Sequence, residues 1–196
     1  MYKINDSLVE RQTAKEKSDR LFLLWVALIV AIMTVIMALN QFVFFTVQVK
    51  GQSMQPTLYT NDFLIANRLK KVERGSIIII EGETGYWLIK RVIACDEGDK
   101  IELKDGYVYL NGVKLNETYV LQNGVTEWNS NEQNGQTVEL KAGEIFYLGD
   151  NRQNSSDSRN YGTCEDGQVV GVVEEWSLPL KGIGGFFARL KQKLSD

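Results

Sequence analysis

The sequence predicts an all-β domain of antiparallel strands that follows one N-terminal transmembrane helix. An uncharged apolar run of nineteen residues lies near the N-terminus, and beyond it short apolar or alternating runs recur between Gly, Asn and Asp. The dipeptides Asp105-Gly106 and Asn111-Gly112 separate three such runs, as in tight β-hairpins. Apolar residues make up 44% of the chain and charged residues 24%, which is typical of a folded protein. A net charge of −3 without a basic stripe does not favour nucleic-acid binding.

The apolar run Leu21–Leu39 predicts a membrane anchor. As a helix that rises about 1.5 Å per residue it spans roughly 28 Å, close to the hydrocarbon thickness of a bilayer. A buried core helix would usually keep a polar face, and a removable signal would have a shorter apolar run followed by a small-x-small cleavage site. We therefore expect an anchor at 21–42 after a cytoplasmic segment at 1–20. The flanking cations give this orientation, because only Lys50 lies within about fifteen residues beyond the run. Five cations precede it: Lys3, Arg11, Lys15, Lys17 and Arg20.

Strands are predicted after the anchor in eight short runs. They are "FVFFTVQV", "DFLIAN", "SIIII", "YWLIKRVIA", "KIEL", "YVYL", "EIFYL" and "QVVGVVEEW". Their close spacing and tight turns are compatible with an antiparallel sheet, a sandwich or a partly open barrel. The polar stretch 123–142, rich in Gly and Asn, predicts loops of an outlying subdomain. The basic tail 181–196 is either a short amphipathic helix that rests on lipid or a solvated terminus.

Ser53, in "KGQSMQPTLYT", is a candidate nucleophile that follows the anchor closely. The chain contains no histidine, so a Ser-His-Asp triad is excluded and the base must be a neutral lysine or a carboxylate. A lysine acts as a base only when it is desolvated, because its usual pKa of about 10.4 keeps it protonated. In the strand "YWLIKRVIA", Lys90 would share one face with Leu88 and Val92, which disfavours its ammonium form. The structural alternatives are a turn serine and a strand lysine that reaches solvent.

A third informative stretch is "LGDNRQNSSDSRNYG" at 148–162, which contains two aspartates, two arginines, three serines and three asparagines. This composition predicts a surface loop of Asx turns and ion pairs. Beside a buried lysine the same loop could also orient the amine, and composition alone does not decide between these roles. Cys95 and Cys164 form no metal-ligand cluster, and free, partly buried thiols are favoured over a disulfide between them.

Together the three stretches resemble the signature boxes of type I signal peptidases, the membrane-bound serine–lysine proteases that remove secretory signal peptides. "GQSMQPTL" resembles the nucleophile box Ser-Met-x-Pro-Thr-Leu, and "KRVIACDEGD" resembles the lysine box. "GDNRQNSSDSR" matches the box Gly-Asp-Asn-Arg-x-x-Ser-x-Asp-Ser-Arg. The boxes stand in the family's order, and the resemblance covers roughly residues 21–175. The single predicted span resembles the Gram-positive type of these enzymes.

The resemblance implies a role for each matched residue. Ser53 is implied as the nucleophile, neutral Lys90 as the general base, and Ser155 as the residue that orients the Lys90 amine. Five further residues are implied to hold the loop behind the dyad: Asp150, Asn151, Arg152, Asp157 and Arg159. No metal or other cofactor is implied. Gly51 departs from those members that have a serine at this position, which leaves the second donor of the oxyanion hole unassigned.

The implied fold is an all-β catalytic domain at 43–180, with a partly open, barrel-like core and an inserted β subdomain at about 100–142. The implied substrates are signal peptides of secretory preproteins, cut after small residues on the outer side of the membrane. Membrane lipid and the export machinery are further implied partners. Substrate would bind as an extended strand whose small side chains enter aliphatic pockets. The expected walls, each of which could equally be strand core, flank the dyad in sequence: Val47, Val49, Leu58, Leu64, Leu88 and Ile89.

Other classes of protein fit these residues less well. A self-cleaving, repressor-type serine–lysine protease would be soluble and joined to a DNA-binding segment, whereas this chain has a predicted membrane span. A β-lactamase or penicillin-binding enzyme would have a Ser-x-x-Lys spacing, but Ser53 is followed by Met-Gln-Pro. A non-enzymatic, membrane-tethered β-domain that binds a ligand stays open. It predicts that Ser53→Ala and Lys90→Ala leave function intact.

Overall fold

The computed structural model describes residues 3–82, 85–120, 125–128 and 136–180. These residues form two compact units that divide after Val43. The predicted tail at 181–196 and part of the predicted polar stretch at 123–142 lie outside the described residues.

The first unit is a single helix of 41 residues, α1 (Lys3–Val43). Its segment Lys15–Val43 is long and apolar enough to cross a membrane, and no other helix in the described ranges has this property. Apolar side chains of this segment are exposed, Trp25 by 64% and Met37 by 69%, which suits a helix surface that faces lipid. The predicted N-terminal apolar helix is therefore present. The helical structure begins well before the predicted anchor and continues through it.

The second unit is built from β-strands in two antiparallel sheets. In chain order the strands are β1 (Phe44–Gln48), β2 (Phe63–Asn67), β3 (Ile77–Glu81), β4 (Trp87–Ala94), β5 (Lys100–Lys104), β6 (Tyr107–Leu110), β7 (Val113–Lys114), β8 (Thr137–Glu139), β9 (Glu144–Leu148), β10 (Cys164–Glu165) and β11 (Val169–Val173). A seven-stranded sheet has the order β1-β2-β11-β3-β4-β9-β10, and a four-stranded sheet has the order β7-β6-β5-β8. Neither sheet closes on itself within the described ranges. All eight predicted runs contain a strand, so the predicted all-β class is confirmed, whereas β8 and β10 were not predicted.

Two tight turns shape the four-stranded sheet. Asp105-Gly106 joins β5 to β6, and Asn111-Gly112 joins β6 to β7. All four residues have a positive φ, which is 53° at Asp105 and Asn111, 80° at Gly106 and 77° at Gly112. Turns of this hand match the right-handed twist of the flanking strands, and they favour Asn or Asp followed by Gly. The predicted hairpins are confirmed, and the sheet that they form is inserted in the sequence between β4 and β9.

Strand β3 is buried on both faces, which explains its uninterrupted run of isoleucines. Ile77 and Ile79 belong to a core cluster that includes Met54, whereas Ile78 and Ile80 belong to a separate cluster that includes Tyr147. A strand that is covered on both sides needs no polar alternation. Burying each isoleucine contributes about 1.5–3 kcal/mol. The pairs β3–β4 and β3–β11 therefore form a well-packed centre of the large sheet.

Three segments meet at β4. Lys90 lies on this strand opposite Ile78 of β3, and the other edge of β4 pairs with β9. The connection between β1 and β2, a series of turns, carries Ser53. The chain that leaves β9 carries a short 3₁₀ helix, Arg152–Asn154, and a one-turn helix, α2 (Ser158–Tyr161). The predicted loop at 148–162 therefore contains two helical turns.

Candidate active site

The structure brings Ser53 and Lys90 together although 37 residues separate them in the chain. Lys90 Nζ lies 3.0 Å from Ser53 Oγ, and it also donates a hydrogen bond to the carbonyl oxygen of Ile89 at 3.1 Å. Only 3% of Lys90 is exposed, and its strand β4 lies inside the large sheet between β3 and β9. The predicted nucleophile and the predicted base are thus in hydrogen-bonding contact at a buried position.

Burial lowers the pKa of Lys90 from its ordinary value of 10.5 to about 8. The loss of water around the ammonium group is the main cause, and the negative charges of Asp157 and Asp150 oppose it without cancelling it. With this pKa, roughly one molecule in ten carries a neutral amine at pH 7. A neutral amine can accept the proton of the Ser53 hydroxyl, so the pair can act as nucleophile and base.

Hydrogen bonds from the loop that follows β9 hold the backbone around Ser53. The backbone N–H of Asn151 donates to the Ser53 carbonyl oxygen at 2.9 Å, and its side-chain amide donates to the Gln52 carbonyl oxygen at 3.2 Å. Gly51 has a φ of 89°, and its carbonyl oxygen accepts a hydrogen bond from the Thr60 hydroxyl at 2.8 Å. A position with this φ favours glycine, which accounts for Gly51 in place of a serine.

Asp157 anchors the loop that follows β9. Its carboxylate is fully buried, and Oδ2 accepts a hydrogen bond from the Gly149 N–H at 3.0 Å. Arg159 donates to both carboxylate oxygens, at 2.8 and 2.9 Å, and also to the Arg152 carbonyl oxygen at 2.7 Å. Asp157 is in addition the N-cap of α2. Three of the predicted loop residues, Arg152, Asp157 and Arg159, therefore belong to one buried network.

Asp150 is paired with Arg91, the residue that follows the predicted base. The guanidinium of Arg91 donates to the two carboxylate oxygens of Asp150 at 2.8 and 2.7 Å. Asp150 is fully buried, so this two-point contact compensates its charge. Sequence reasoning assigned Asp150 no partner. The adjacent "KR" was the available signal, but it became informative only once β4 and β9 were known to be neighbours.

Arg152 is held by residues for which no role was predicted. Glu117 binds its guanidinium through both carboxylate oxygens, and the hydroxyl of Thr126 accepts a hydrogen bond from Arg152 at 2.6 Å. The Tyr119 hydroxyl donates to Glu117 at 2.8 Å, and its ring lies 4.1 Å from the guanidinium carbon of Arg91. No sequence signal distinguishes these residues, because they lie in the polar connection between β7 and β8.

Ser155 lies beside the dyad without the hydrogen bond that was expected. Its Oγ is buried and has no hydrogen-bond partner among the described residues, and the contacts of Lys90 Nζ are those with Ser53 and Ile89. Its position is nevertheless close to the nucleophile. A Cβ added to Gly149 would lie 2.2 Å from Ser155 Oγ and 2.6 Å from the Ser53 carbonyl oxygen.

The six residues expected to form pocket walls lie on different sides of the large sheet. Four are buried in the core cluster that contains Met54, and Ile89 packs against it; the four are Val47, Val49, Leu58 and Leu64. Leu88 packs against the other cluster and lines a cavity of about 440 Å³ together with Tyr86, Tyr147 and Tyr161. The role of these six residues in binding substrate stays a prediction. Elsewhere in the unit, Cys95 and Cys164 are free thiols, as expected.

Comparisons with known proteins test the resemblance suggested by the motifs. Residues 22–177 match the family model described as "Signal peptidase, peptidase S26". Similar proteins include signal peptidase I P of Bacillus subtilis subsp. natto, which is 34% identical over 170 residues that cover 81% of this chain and 90% of the relative. Signal peptidase I of Bacillus caldolyticus is 35% identical over 179 residues that cover 85% of this chain and 94% of the relative.

A solved structure is also similar, a signal peptidase I from Enterococcus faecalis V583 that is 32% identical. The match covers 54% of this chain and 98% of that chain, with a TM-score of 0.45. The family model and the relatives in sequence each span most of this chain. On that basis, the chain belongs to the signal peptidase family, peptidase S26.

Proposed function

We propose that the chain is a serine endopeptidase that removes N-terminal signal peptides from secretory preproteins, with Ser53 as nucleophile and Lys90 as general base. One observation carries the proposal. A lysine that is 3% exposed, with its pKa lowered to about 8, lies 3.0 Å from a serine hydroxyl. The similar proteins named signal peptidase I support the choice of substrate.

The reaction follows from this contact. Neutral Lys90 takes the proton of the Ser53 hydroxyl while Oγ attacks the carbonyl carbon of the scissile bond. The protonated amine then gives the proton to the leaving nitrogen, the C–N bond breaks, and an acyl-enzyme forms. Lys90, neutral again, takes a proton from water as the water attacks the ester. The signal peptide leaves with a free carboxyl group, and Lys90 returns the proton to Ser53.

The surrounding residues have supporting roles. Ser155 orients the Lys90 amine once its hydroxyl turns toward that amine; its Oγ is buried near Ser53 and has no hydrogen-bond partner among the described residues. The backbone N–H of Ser53, with that of Gly51 or Gln52, stabilises the oxyanion. The loop behind the dyad is held by five residues, whose contacts with one another and with the Ser53 backbone support this role: Asp150, Asn151, Arg152, Asp157 and Arg159.

Substrate specificity arises from an extended binding mode. The preprotein pairs as a strand with the sheet, and small side chains next to the cleavage site enter pockets too narrow for bulky groups. The proposed walls are aliphatic: Val47, Val49, Leu58, Leu64, Leu88 and Ile89.

The enzyme works at a membrane surface. The apolar part of α1, at 21–42, crosses the bilayer. The excess of Lys and Arg in the segment before it, at 1–20, places the N-terminus in the cytoplasm. The catalytic domain at 43–180, with its inserted subdomain at about 100–142, then lies on the outer side. There it meets membrane lipid, the export machinery and emerging preproteins.

Incubation of the purified full chain with a preprotein in detergent tests the function. We expect one discrete cut after a small residue, with a rate that rises with pH as Lys90, of pKa about 8, loses its proton. Ser53→Ala and Lys90→Ala should each lower the rate by roughly 10³-fold or more. Lys104→Ala, which alters an exposed lysine of the second sheet, is the matched control and should cut normally. Unchanged cutting by Lys90→Ala would exclude the mechanism.

A further inference from the structure

Glu117 connects the second sheet to the catalytic loop. It lies in the connection between β7 and β8, and its carboxylate accepts hydrogen bonds from Arg152 and Tyr119. The side chain of Arg152 is fully buried and that of Glu117 is 10% exposed. A guanidinium at such a depth needs a carboxylate partner, because an unpaired buried charge is strongly unfavourable. The position of Glu117 therefore controls the position of Arg152.

Arg152 transmits this constraint to the backbone beside the nucleophile. Its Nε donates to the Gly149 carbonyl oxygen at 3.1 Å, while Asp157 holds the N–H of the same residue. Gly149 has no space for a Cβ, since that atom would lie 2.6 Å from the Ser53 carbonyl oxygen. A shift of the Gly149 backbone would consequently move Ser53.

A second set of contacts connects Glu117, through Tyr119, to the strand that carries Lys90. The Tyr119 hydroxyl donates to Glu117, and its ring lies against the guanidinium of Arg91. Arg91 follows Lys90 on β4 and holds both oxygens of Asp150. Glu117 thus reaches the strand that carries the base as well as the loop that contacts the nucleophile.

We propose that Glu117 is a positioning residue for the Ser53–Lys90 reaction, acting through Arg152 and Tyr119. This inference rests on the proposed function. When Glu117 loses its charge, Arg152 must find other acceptors, and the segment 149–152 moves with it. A displacement of about 1 Å in a reacting group can lower the rate by roughly 100-fold, whereas binding of an extended substrate is much less sensitive. The effect should therefore fall on kcat and spare KM.

The test measures preprotein cutting by the full chain in detergent, at a temperature at which near-UV circular dichroism shows each variant to be folded. We expect Glu117→Gln to lower kcat by roughly 10- to 100-fold with KM nearly unchanged. Tyr119→Phe removes one hydroxyl and keeps the ring, so its loss of kcat should be smaller. Glu139→Gln is the matched control, because Glu139 is exposed on β8 and pairs with Lys100. Its kcat should equal that of the parent.

Comparing the kcat losses of single and double variants shows whether Glu117 acts through Arg152 or independently of it. The double variant Glu117→Gln with Arg152→Gln should lose less kcat than the two single losses combined, and should exceed the loss of Arg152→Gln by no more than the loss of Tyr119→Phe. A residue that only stabilises the fold would leave the kcat of folded Glu117→Gln unchanged, and this result would overturn the inference. Strictly additive losses would overturn the route through Arg152. If Ser53→Ala still cuts in the same assay, the proposed function itself is wrong and the inference falls with it.

Discussion

The lowered pKa of Lys90 predicts that this residue destabilises the folded domain at neutral pH. Its pKa is about 8 in the folded chain, against an ordinary value of 10.5. Between these values the unfolded chain binds more protons than the folded chain, so the folded state becomes more stable as pH rises. Lys90→Met abolishes this titration and keeps an unbranched side chain of similar length.

The difference between the two pKa values determines how much the free energy of unfolding changes with pH. A difference from 10.5 to about 8 corresponds to about 3 kcal/mol when it is fully developed. Integration over pH gives the parent chain a gain in the free energy of unfolding of about 1 kcal/mol between pH 7 and 9, and of about 2–3 kcal/mol between pH 7 and 10. The variant has no such gain. Its stability relative to the parent should therefore be highest near neutral pH and decline by these amounts.

Urea unfolding of the full chain in detergent measures this difference. Trp128 is buried in the core beneath the second sheet, so tryptophan fluorescence follows loss of the folded domain. Taking the difference between variant and parent at each pH removes the contributions of all other titrating groups. Lys104→Met, at an exposed position, should give a difference that does not change with pH. A pH-independent difference for Lys90→Met would refute the buried, desolvated amine.

Two further predictions concern the loop after β9 and its partner on β4. Gly149→Ala should abolish cutting and cost roughly 1–3 kcal/mol, because the new Cβ would lie 2.2 Å from a serine oxygen. Gly167→Ala adds the same atom in open space and should change neither activity nor the urea midpoint. Arg91→Lys should lower the free energy of unfolding by roughly 1–3 kcal/mol and lower kcat, because an ammonium group cannot donate to both oxygens of Asp150 in one plane. A variant with the parent's urea midpoint and kcat would show that the two-point contact is dispensable.

Features with a strong local signal were predictable from the sequence. The isoleucine run predicted the strand β3, and Asp105-Gly106 predicted a hairpin, because both patterns act over a few residues. The apolar neighbours of Lys90 made it a candidate base, with a lysine that reaches solvent as the alternative, and the structure buries it. The Ser53–Lys90 contact itself depended on the resemblance of the motifs, since neither residue alone indicates the other.

Contacts between distant segments were not predictable. Glu117 and Arg152 are 35 residues apart, and Arg91 and Asp150 are 59 apart. Each pair joins segments that only the folded chain brings together. In the sequence, a charged residue has many equivalent partners of opposite charge. The hydrogen bond expected between Ser155 and Lys90 is absent, so a contact between neighbouring side chains was also not predictable. The match of the third motif predicted that Ser155 lies near Ser53 and Lys90, but the direction of its hydroxyl depends on the local backbone.

The connection that forms the second sheet leaves and re-enters the large sheet at adjacent points, since Ala94 at the end of β4 is paired with Phe146 near the start of β9. The segment between them, 95–145, is therefore an insertion whose two ends lie side by side. We expect changes in the length of this segment to leave the contact between Ser53 and Lys90 in place, provided that a carboxylate still reaches the guanidinium of Arg152. The surface of the inserted sheet would then vary independently of the Ser53–Lys90 pair, and Glu117 would be the residue that links the two.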